Sequence, residues 1–289
     1  MAIIVTEETR IVVQGITGNQ GRFHAGKMLE YGSKVVAGVS PGKGGTEVLG
    51  IPVFNTVVEA VRNSGANTSI LFIPAPFVLE AAFEAIEAGI KTIVIITEHV
   101  PLKDALKIMS IAKAYGVTIA GPNTFGVISP GIAKVGIMPN TIYQKGPVGI
   151  VARSGTLSYQ IAYELTLAGL GQSTVVGLGG DRVVGLSLAE VIEMFDQDPE
   201  TEGIVLVGEI GGTAEEEAAE IIRNIKKPVV AFIAGKTAPP GKRMGHAGAI
   251  IERGRGTYQS KIDALWSAGA LIAEVPWEVP VLMKSALVK

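Results

Sequence analysis

The sequence predicts an α/β protein built on two doubly wound parallel sheets. Short β-branched runs alternate with helix-length amphipathic runs along most of the chain, which is how the strands and crossover helices of such sheets read. Apolar residues make up 47% and mean hydropathy is +0.39, yet no apolar run reaches the roughly 18 residues of a membrane span. That excess therefore belongs in strands buried on both faces, or at a subunit interface. The alternation lapses once, in a glycine- and proline-rich stretch, so the 289 residues divide into a domain at 1–122, an inter-domain joint at 123–147 and a domain at 148–289. Each domain is long enough to bury its own core.

The first strand, residues 10–13, runs into Gln14-Gly15-Ile16-Thr17-Gly18-Asn19-Gln20-Gly21 and a helix ending near Tyr31. A strand, glycine turn and helix aim free backbone N–H groups at an anion, usually a phosphate, and the helix dipole adds to the attraction. The spacing is Gly-x-x-Gly-x-x-Gly rather than Gly-x-Gly-x-x-Gly. The second strand, residues 34–39, ends in Ser40-Pro41-Gly42-Lys43-Gly44-Gly45, where a dinucleotide enzyme places an acidic residue. Lysine there suits a ribose that carries phosphate, so coenzyme A fits better than NAD; a purely structural βα turn is the alternative. Strands at 69–73, 92–96 and 117–120 follow, with Pro74-Ala75-Pro76-Phe77 leading into a helix through Ala88 and a second helix at 102–115. Ligands of such sheets sit beyond the carboxyl ends of the strands. Thr17, Lys43, residues 74–77 and Ile96, Thr97 and Glu98 are therefore expected to line one crevice, although proline also serves simply to end a strand.

From Gly121 to Pro147 the alternation gives way to Gly121-Pro122-Asn123-Thr124-Phe125-Gly126, Ser129-Pro130-Gly131 and Lys145-Gly146-Pro147. This stretch is long for a passive linker, so part of it is expected to cross the mouth of a site. A second alternation opens with a strand at 148–151, after which Ala152-Arg153-Ser154-Gly155-Thr156-Leu157-Ser158-Tyr159 passes into a helix reaching about Ala168. Ser154 reads as an N-cap, and Ser154, Gly155 and Thr156 as either a second phosphate cradle or a well-capped helix start. Strands at 173–176, 203–207 and 229–233 follow, with helices from Leu188, Ala214 and about Tyr258 and a last edge strand at 271–274. Glu215-Glu216-Glu217 reads as the solvated, dipole-favoured start of its helix.

The chemistry concentrates in Gly241-Lys242-Arg243-Met244-Gly245-His246-Ala247-Gly248-Ala249-Ile250. A neutral imidazole is a good nucleophile near pH 7 and carries a covalent group between two reactions as readily as a proton, and small neighbours let a substrate approach. A loop histidine that merely satisfies its own hydrogen bonds is the alternative. Glu209, in Gly208-Glu209-Ile210-Gly211-Gly212, stands at the carboxyl edge of a strand. It is suited to hold an imidazole N–H and fix the tautomer, the alternative being a surface salt bridge.

Two nucleotide motifs fail. Residues 235–243 place five residues between their glycines and Arg243 where a Walker loop needs serine or threonine, and Arg153-Ser154-Gly155 lacks the glycine of a nucleophile elbow. With no cysteine, disulfides, thiolate catalysis and Cys-ligated zinc are excluded. A net charge of -2, from 25 basic and 27 acidic residues, favours neither nucleic acid nor membrane. The N-terminus lacks a signal-peptide pattern, so a cytoplasmic protein is expected.

Taken in order, Thr17-Gly18-Asn19-Gln20-Gly21, Pro41-Gly42-Lys43-Gly44-Gly45, Gly121-Pro122-Asn123, Arg153-Ser154-Gly155-Thr156, Gly208-Glu209-Ile210-Gly211-Gly212 and residues 241–250 closely resemble the α subunits of the succinyl-CoA synthetases, also called succinate–CoA ligases, over essentially the whole chain. The resemblance implies a CoA-binding Rossmann-like domain followed by a flavodoxin-like ligase domain. It implies CoA contacts at Thr17, Gly18, Asn19, Gln20, Lys43, Ile96, Thr97 and Glu98, phosphate contacts at Ser154, Gly155 and Thr156, a substrate contact at Tyr159, and a catalytic His246 phosphorylated beside Glu209. The activity implied is a nucleotide-dependent acid–CoA ligase that forms succinyl-CoA reversibly from succinate, CoA and ATP or GTP, through a phosphohistidine and an acyl phosphate, in the tricarboxylic acid cycle. A β subunit with an ATP-grasp domain would supply the nucleotide and Mg2+, as a heterodimer or a dimer of heterodimers, and no metal is expected on this chain. A ligase for malate or another dicarboxylate, and a CoA-responsive module without chemistry, stand as alternatives. One departure is Thr124-Phe125, where many relatives carry Cys-Pro; it bears on packing or CoA contact more than on phosphoryl transfer.

Overall fold

The structure, a computed structural model, describes residues 2–239, 241–252 and 254–288. Pro240, inside the 235–243 segment weighed as a nucleotide loop, lies outside the described residues, as do Met1, Arg253 and Lys289, which fall within the expected domain bounds.

The first half forms β1 (Ile11–Gln14), α1 (Asn19–Glu30), β2 (Val35–Val39), a hairpin of β3 (Glu47–Val48) and β4 (Ile51–Phe54), α2 (Val57–Ser64), β5 (Thr68–Leu71), α3 (Val78–Glu87), β6 (Thr92–Ile95), α4 (Leu102–Tyr115) and β7 (Thr118–Ala120). Its sheet runs β3-β4-β2-β1-β5-β6-β7, with every pair parallel except β3 on β4. From β4 onward this is the strand order of dinucleotide-binding folds, reversing between β1 and β5. Strands β1, β5 and β6 are buried at every position, Gln14, Thr68, Ser69 and Thr92 included, so none of them alternates apolar with exposed polar residues. The β3–β4 hairpin and α2 were not expected: β3 has two residues and β4 carries an outward-facing Pro52, so neither shows a clean alternation.

The second half forms β8 (Gly126–Ser129), β9 (Ala133–Gly136), β10 (Lys145–Ala152), α5 (Gly155–Leu167), β11 (Gln172–Gly177), α6 (Leu188–Gln197), β12 (Gly203–Glu209), α7 (Ala214–Ile222), β13 (Val229–Ala234), α8 (Tyr258–Ser267), β14 (Leu271–Ala273) and α9 (Val279–Leu287). The sheet order is β14-β13-β12-β10-β11-β8-β9. Strands β10 to β14 pair in parallel in the flavodoxin-like order, while β8 and β9 add an antiparallel edge beside β11. The stretch 123–147 is therefore more than a connection. It supplies two fully buried strands and the first residues of β10, short pieces that their flanking Gly and Pro disguise.

That edge fastens the halves together. Ser33 donates through Oγ to the carbonyl of Lys134 at 2.9 Å and accepts from its N–H at 2.8 Å, and Asn140 donates to the carbonyl of Lys27 at 3.0 Å. A continuous set of buried side chains runs from Val13 and Met28 through Val127 and Val135 to Val176. Among the described residues no helix is long and apolar enough to cross a membrane.

Candidate active site

Beyond the carboxyl ends of the first sheet, two hydrogen bonds gather the segments expected to meet CoA. Thr17 in the β1–α1 turn bonds Ser40 after β2, hydroxyl to hydroxyl at 3.0 Å, and the Thr97 hydroxyl after β6 donates to the carbonyl of Ile73 after β5 at 2.6 Å. Gly18 occupies the N-cap of α1 and no side chain caps it, leaving first-turn N–H groups for an anion, with Asn19 and Gln20 exposed beside them. Lys43 is exposed on the loop after β2, and Ile96 and Glu98 flank Thr97. A cavity of about 560 Å3 opens here between Gln14, Val39, Pro41, Ile73 and the exposed ring of Phe77. It takes in Pro74 and Phe77 of the expected crevice, whereas Thr17, Lys43 and residues 96–98 lie outside its lining.

The second sheet positions the histidine. Strands β10 and β12 are parallel neighbours with Ala152 opposite Val207, so Arg153 and Glu209 emerge side by side at the same edge. The loop 241–250, between β13 and α8, closes over them through backbone contacts: the N–H of Gly248 donates to the carbonyl of Gly180 at 3.2 Å. Gly211, at φ +94°, admits this loop, because a Cβ there would stand 2.1 Å from the carbonyl oxygen of Gly248.

Within this frame Nδ1 of His246 lies 2.8 Å from Oε2 of Glu209. The Glu209 side chain is 7% exposed and that of His246 30%. An ionised carboxylate only accepts, so the bond puts the proton on Nδ1 and leaves the lone pair on Nε2. The bond to Glu209 raises the pKa of His246 above its ordinary value, against burial and the nearby Arg153, which lower it. Arg153 Nη2 stands 3.6 Å from the other oxygen, Oε1, which has no hydrogen-bond partner among the described residues.

Ser154 occupies the N-cap of α5 with extended backbone, but its hydroxyl makes no capping bond. The N–H groups that open the helix at Gly155 and Thr156 thus face the same edge without a side-chain partner at the cap. Tyr159, one turn in, packs edge-on against Phe125 at 5.5 Å between ring centroids, and burial pushes its phenol up to about 12. At the departure Thr124-Phe125 both residues pack: the Thr124 hydroxyl donates to the carbonyl of Gly177 at 2.7 Å, and Phe125 backs Tyr159.

One expectation is corrected. Glu215 is not solvated; it is fully buried and ion-paired with the equally buried Lys261, while its Oε1 accepts the backbone N–H of Glu209 at 3.1 Å. Lys261 also donates to Glu216 at 3.0 Å and to the carbonyl of Gly212 at 3.2 Å, so a charged network braces the turn that carries Glu209. Neither Lys261 nor Arg153 has a role assigned from sequence; the position of Arg153 directly before Ser154 is the available signal. A cavity of about 710 Å3 adjoins the histidine loop, with Arg153, Arg182, Arg255 and Glu252 in its wall. Among the described residues no cluster of three or more His, Cys, Asp or Glu side chains forms a metal site.

Comparison with known proteins agrees with this two-part layout. The family model described as a CoA binding domain matches residues 6–99, and the one described as CoA-ligase matches residues 151–271. The chain is 61% identical over 287 residues to a succinate–CoA ligase [ADP-forming] subunit alpha 2 of Archaeoglobus fulgidus, covering 99% of this chain and 100% of the relative. It is 59% identical over 282 residues to the succinate–CoA ligase [ADP-forming] subunit alpha of Aquifex aeolicus, covering 96% and 92%. Among solved structures, a mutant ATP citrate lyase of Methanosaeta concilii in complex with (3S)-citryl-CoA superposes with a TM-score of 0.90 at 23% identity, over 99% of this chain and 50% of that one. That likeness concerns the fold, and this chain spans about half of the lyase. With near-full-length identity to several such subunits and both domains matched in order, the chain belongs to the family of succinate–CoA ligase α subunits.

Proposed function

We propose that this chain is the α subunit of an acid–CoA ligase in which Nε2 of His246 accepts a phosphoryl group from ATP or GTP, passes it to a carboxylate of succinate, and the thiol of CoA then displaces phosphate from the acyl phosphate. The observation that carries the reading is the 2.8 Å bond from His246 Nδ1 to a buried Glu209. It supports a ring held in one tautomer with its nucleophilic nitrogen turned outward, which divides one difficult condensation into easier exchanges. The uncapped start of α5 at Ser154, Gly155 and Thr156 is suited to hold phosphoryl oxygens by backbone N–H groups and dipole, with Tyr159 on the substrate side. The uncapped start of α1, together with Lys43, is suited to the pyrophosphate and ribose phosphate of CoA, with residues 96–98 as further contacts along the molecule.

The absence of a Walker loop in the sequence supports a separate donor of nucleotide and Mg2+, a β subunit with an ATP-grasp domain, joined as a heterodimer or a dimer of heterodimers. The lack of any cysteine fits a reducing cytoplasm. The test is incubation of the reconstituted complex with γ-labelled ATP. Acid-labile, base-stable label on the unaltered chain and none on His246→Asn is the expected result, and label that survives the substitution removes His246 from the mechanism. Rates with succinate against malate then define the acid, and native mass measurement defines the assembly.

A further inference from the structure

We infer that Asp181 is the group that accepts the thiol proton of CoA during thioester formation and returns it to the departing phosphate. The inference rests on the functional reading above and adds a residue to it. Asp181 lies in the β11–α6 loop directly after Gly180, whose Cα abuts the His246 ring: a Cβ built there would be 2.5 Å from Cγ. The N–H of Gly180 donates to the carbonyl of Asn123 at 3.1 Å, and Asn123 Nδ2 donates to Asp181 Oδ1 at 3.1 Å. The backbone N–H of Asn123 in turn donates to the carbonyl of Thr97 at 2.9 Å. Asn123 holds φ at +58°, a left-handed conformation that asparagine tolerates better than most residues. These contacts set the Asp181 carboxylate between residues 96–98, read above as CoA contacts, and the histidine loop, where the acyl phosphate would form. Among the described residues Oδ2 makes no hydrogen bond, so one oxygen is anchored while the other is open.

The other carboxylates nearby are less suited. Glu209 is buried and committed to His246, and Glu98 is exposed beside His99 at 3.5 Å. Burial raises the pKa of Asp181, Glu98 adds to that rise, and the Asn123 bond, His99 and His246 oppose it; these are the polar and charged groups that face it. An unperturbed thiol titrates at about 8.5 and reacts as thiolate, so a base at this point has work to do. In the step, the S–H bond breaks and its proton passes to Oδ2. The sulfur electron pair forms the S–C bond at the acyl carbon, and the C–O bond to phosphate breaks with its pair on the phosphate. Asp181 then returns the proton, leaving thioester, hydrogen phosphate and a regenerated carboxylate.

The test uses Asp181→Asn in the full complex, which keeps an oxygen to accept from Asn123. Label transfer from ATP to His246, and its discharge by succinate into an acyl phosphate trapped with hydroxylamine, are expected within about 2-fold of the parent. Thioester formation is expected to fall by about 10²- to 10⁴-fold in kcat with KM for CoA little changed. The acid limb of its pH profile should vanish, and Asp181→Glu should recover part of the rate. A thioester rate within about 3-fold of the parent overturns the proposal, as does loss of His246 labelling in step with the thioester, which would make Asp181 a support for the loop. Failure of the unaltered complex to label His246 would instead defeat the functional reading itself.

Discussion

Gly180 lies with its bare Cα against the imidazole of His246: an added Cβ would stand 2.5 Å from Cγ and 2.7 Å from Cδ2. The position of the ring is thus set by backbone on one face and by Glu209 at Nδ1. Replacing Gly180 with alanine must push the ring off that bond. Overpacking of this kind costs about 1–3 kcal/mol, and a displacement near 1 Å at a reacting group costs about 100-fold in rate. We expect Gly180→Ala to phosphorylate about 100-fold more slowly while unfolding in a single transition, measured by single-turnover labelling and thermal melts.

The pH dependence of phosphorylation follows from the raised pKa of His246. Attack requires the neutral ring, so the labelling rate is expected to climb with pH through a midpoint above the ordinary histidine value. In Glu209→Gln an oxygen still accepts from Nδ1, but the carboxylate charge that favours the imidazolium is gone, and the midpoint moves down. Stability shows the opposite sign: the imidazolium paired with Glu209 stabilises the fold fully below the unfolded histidine pKa and loses this contribution as pH rises through the raised folded value. Denaturation midpoints of parent and Glu209→Gln should therefore differ most at low pH and converge above that window. Equal differences at every pH would show that the pair does not titrate as described.

Lys261 and Glu215 are both fully buried, and removing one member of such a pair strands the other charge. Lys261→Met is expected to cost about 3–5 kcal/mol, read as a lower denaturant midpoint. Labelling of His246 should fall as well, because Glu215 holds the N–H of Glu209. A variant as stable as the parent would contradict the brace.

Lys43 stands exposed on the loop after β2, and in the proposed reading it meets the ribose phosphate of CoA. An exposed ion pair is worth about 1 kcal/mol at most, or about 5-fold in affinity. Lys43→Ala is expected to weaken CoA by about that factor and 3'-dephospho-CoA hardly at all, by calorimetry on the assembled enzyme. Equal losses for both would place the ribose phosphate elsewhere.

Much of the fold was legible because its signals are local. Strands such as Val35–Val39 and Thr92–Ile95 and the helix Leu102–Tyr115 declare themselves through period, apolar run and glycine stop. The elements that escaped, β3, β4, α2, β8, β9 and α9, are short, broken by Gly or Pro, or placed at a sheet edge or chain end where alternation fades. Glu215 misled for a related reason: an acidic helix start looks the same whether water or a buried Lys261 stands opposite it.

By itself the sequence determined the alternation of strands and helices, the glycine turns open to anions, and the supply of one imidazole and one carboxylate between glycines. Only the tertiary structure decided that His246 meets Glu209 across 37 residues of chain, that Arg153 stands beside them, and that Asp181 bridges toward the first sheet. The reason is range: periodicity and turn chemistry act over a few residues, whereas these meetings depend on which strands become neighbours, and that is settled by the packing of the whole core.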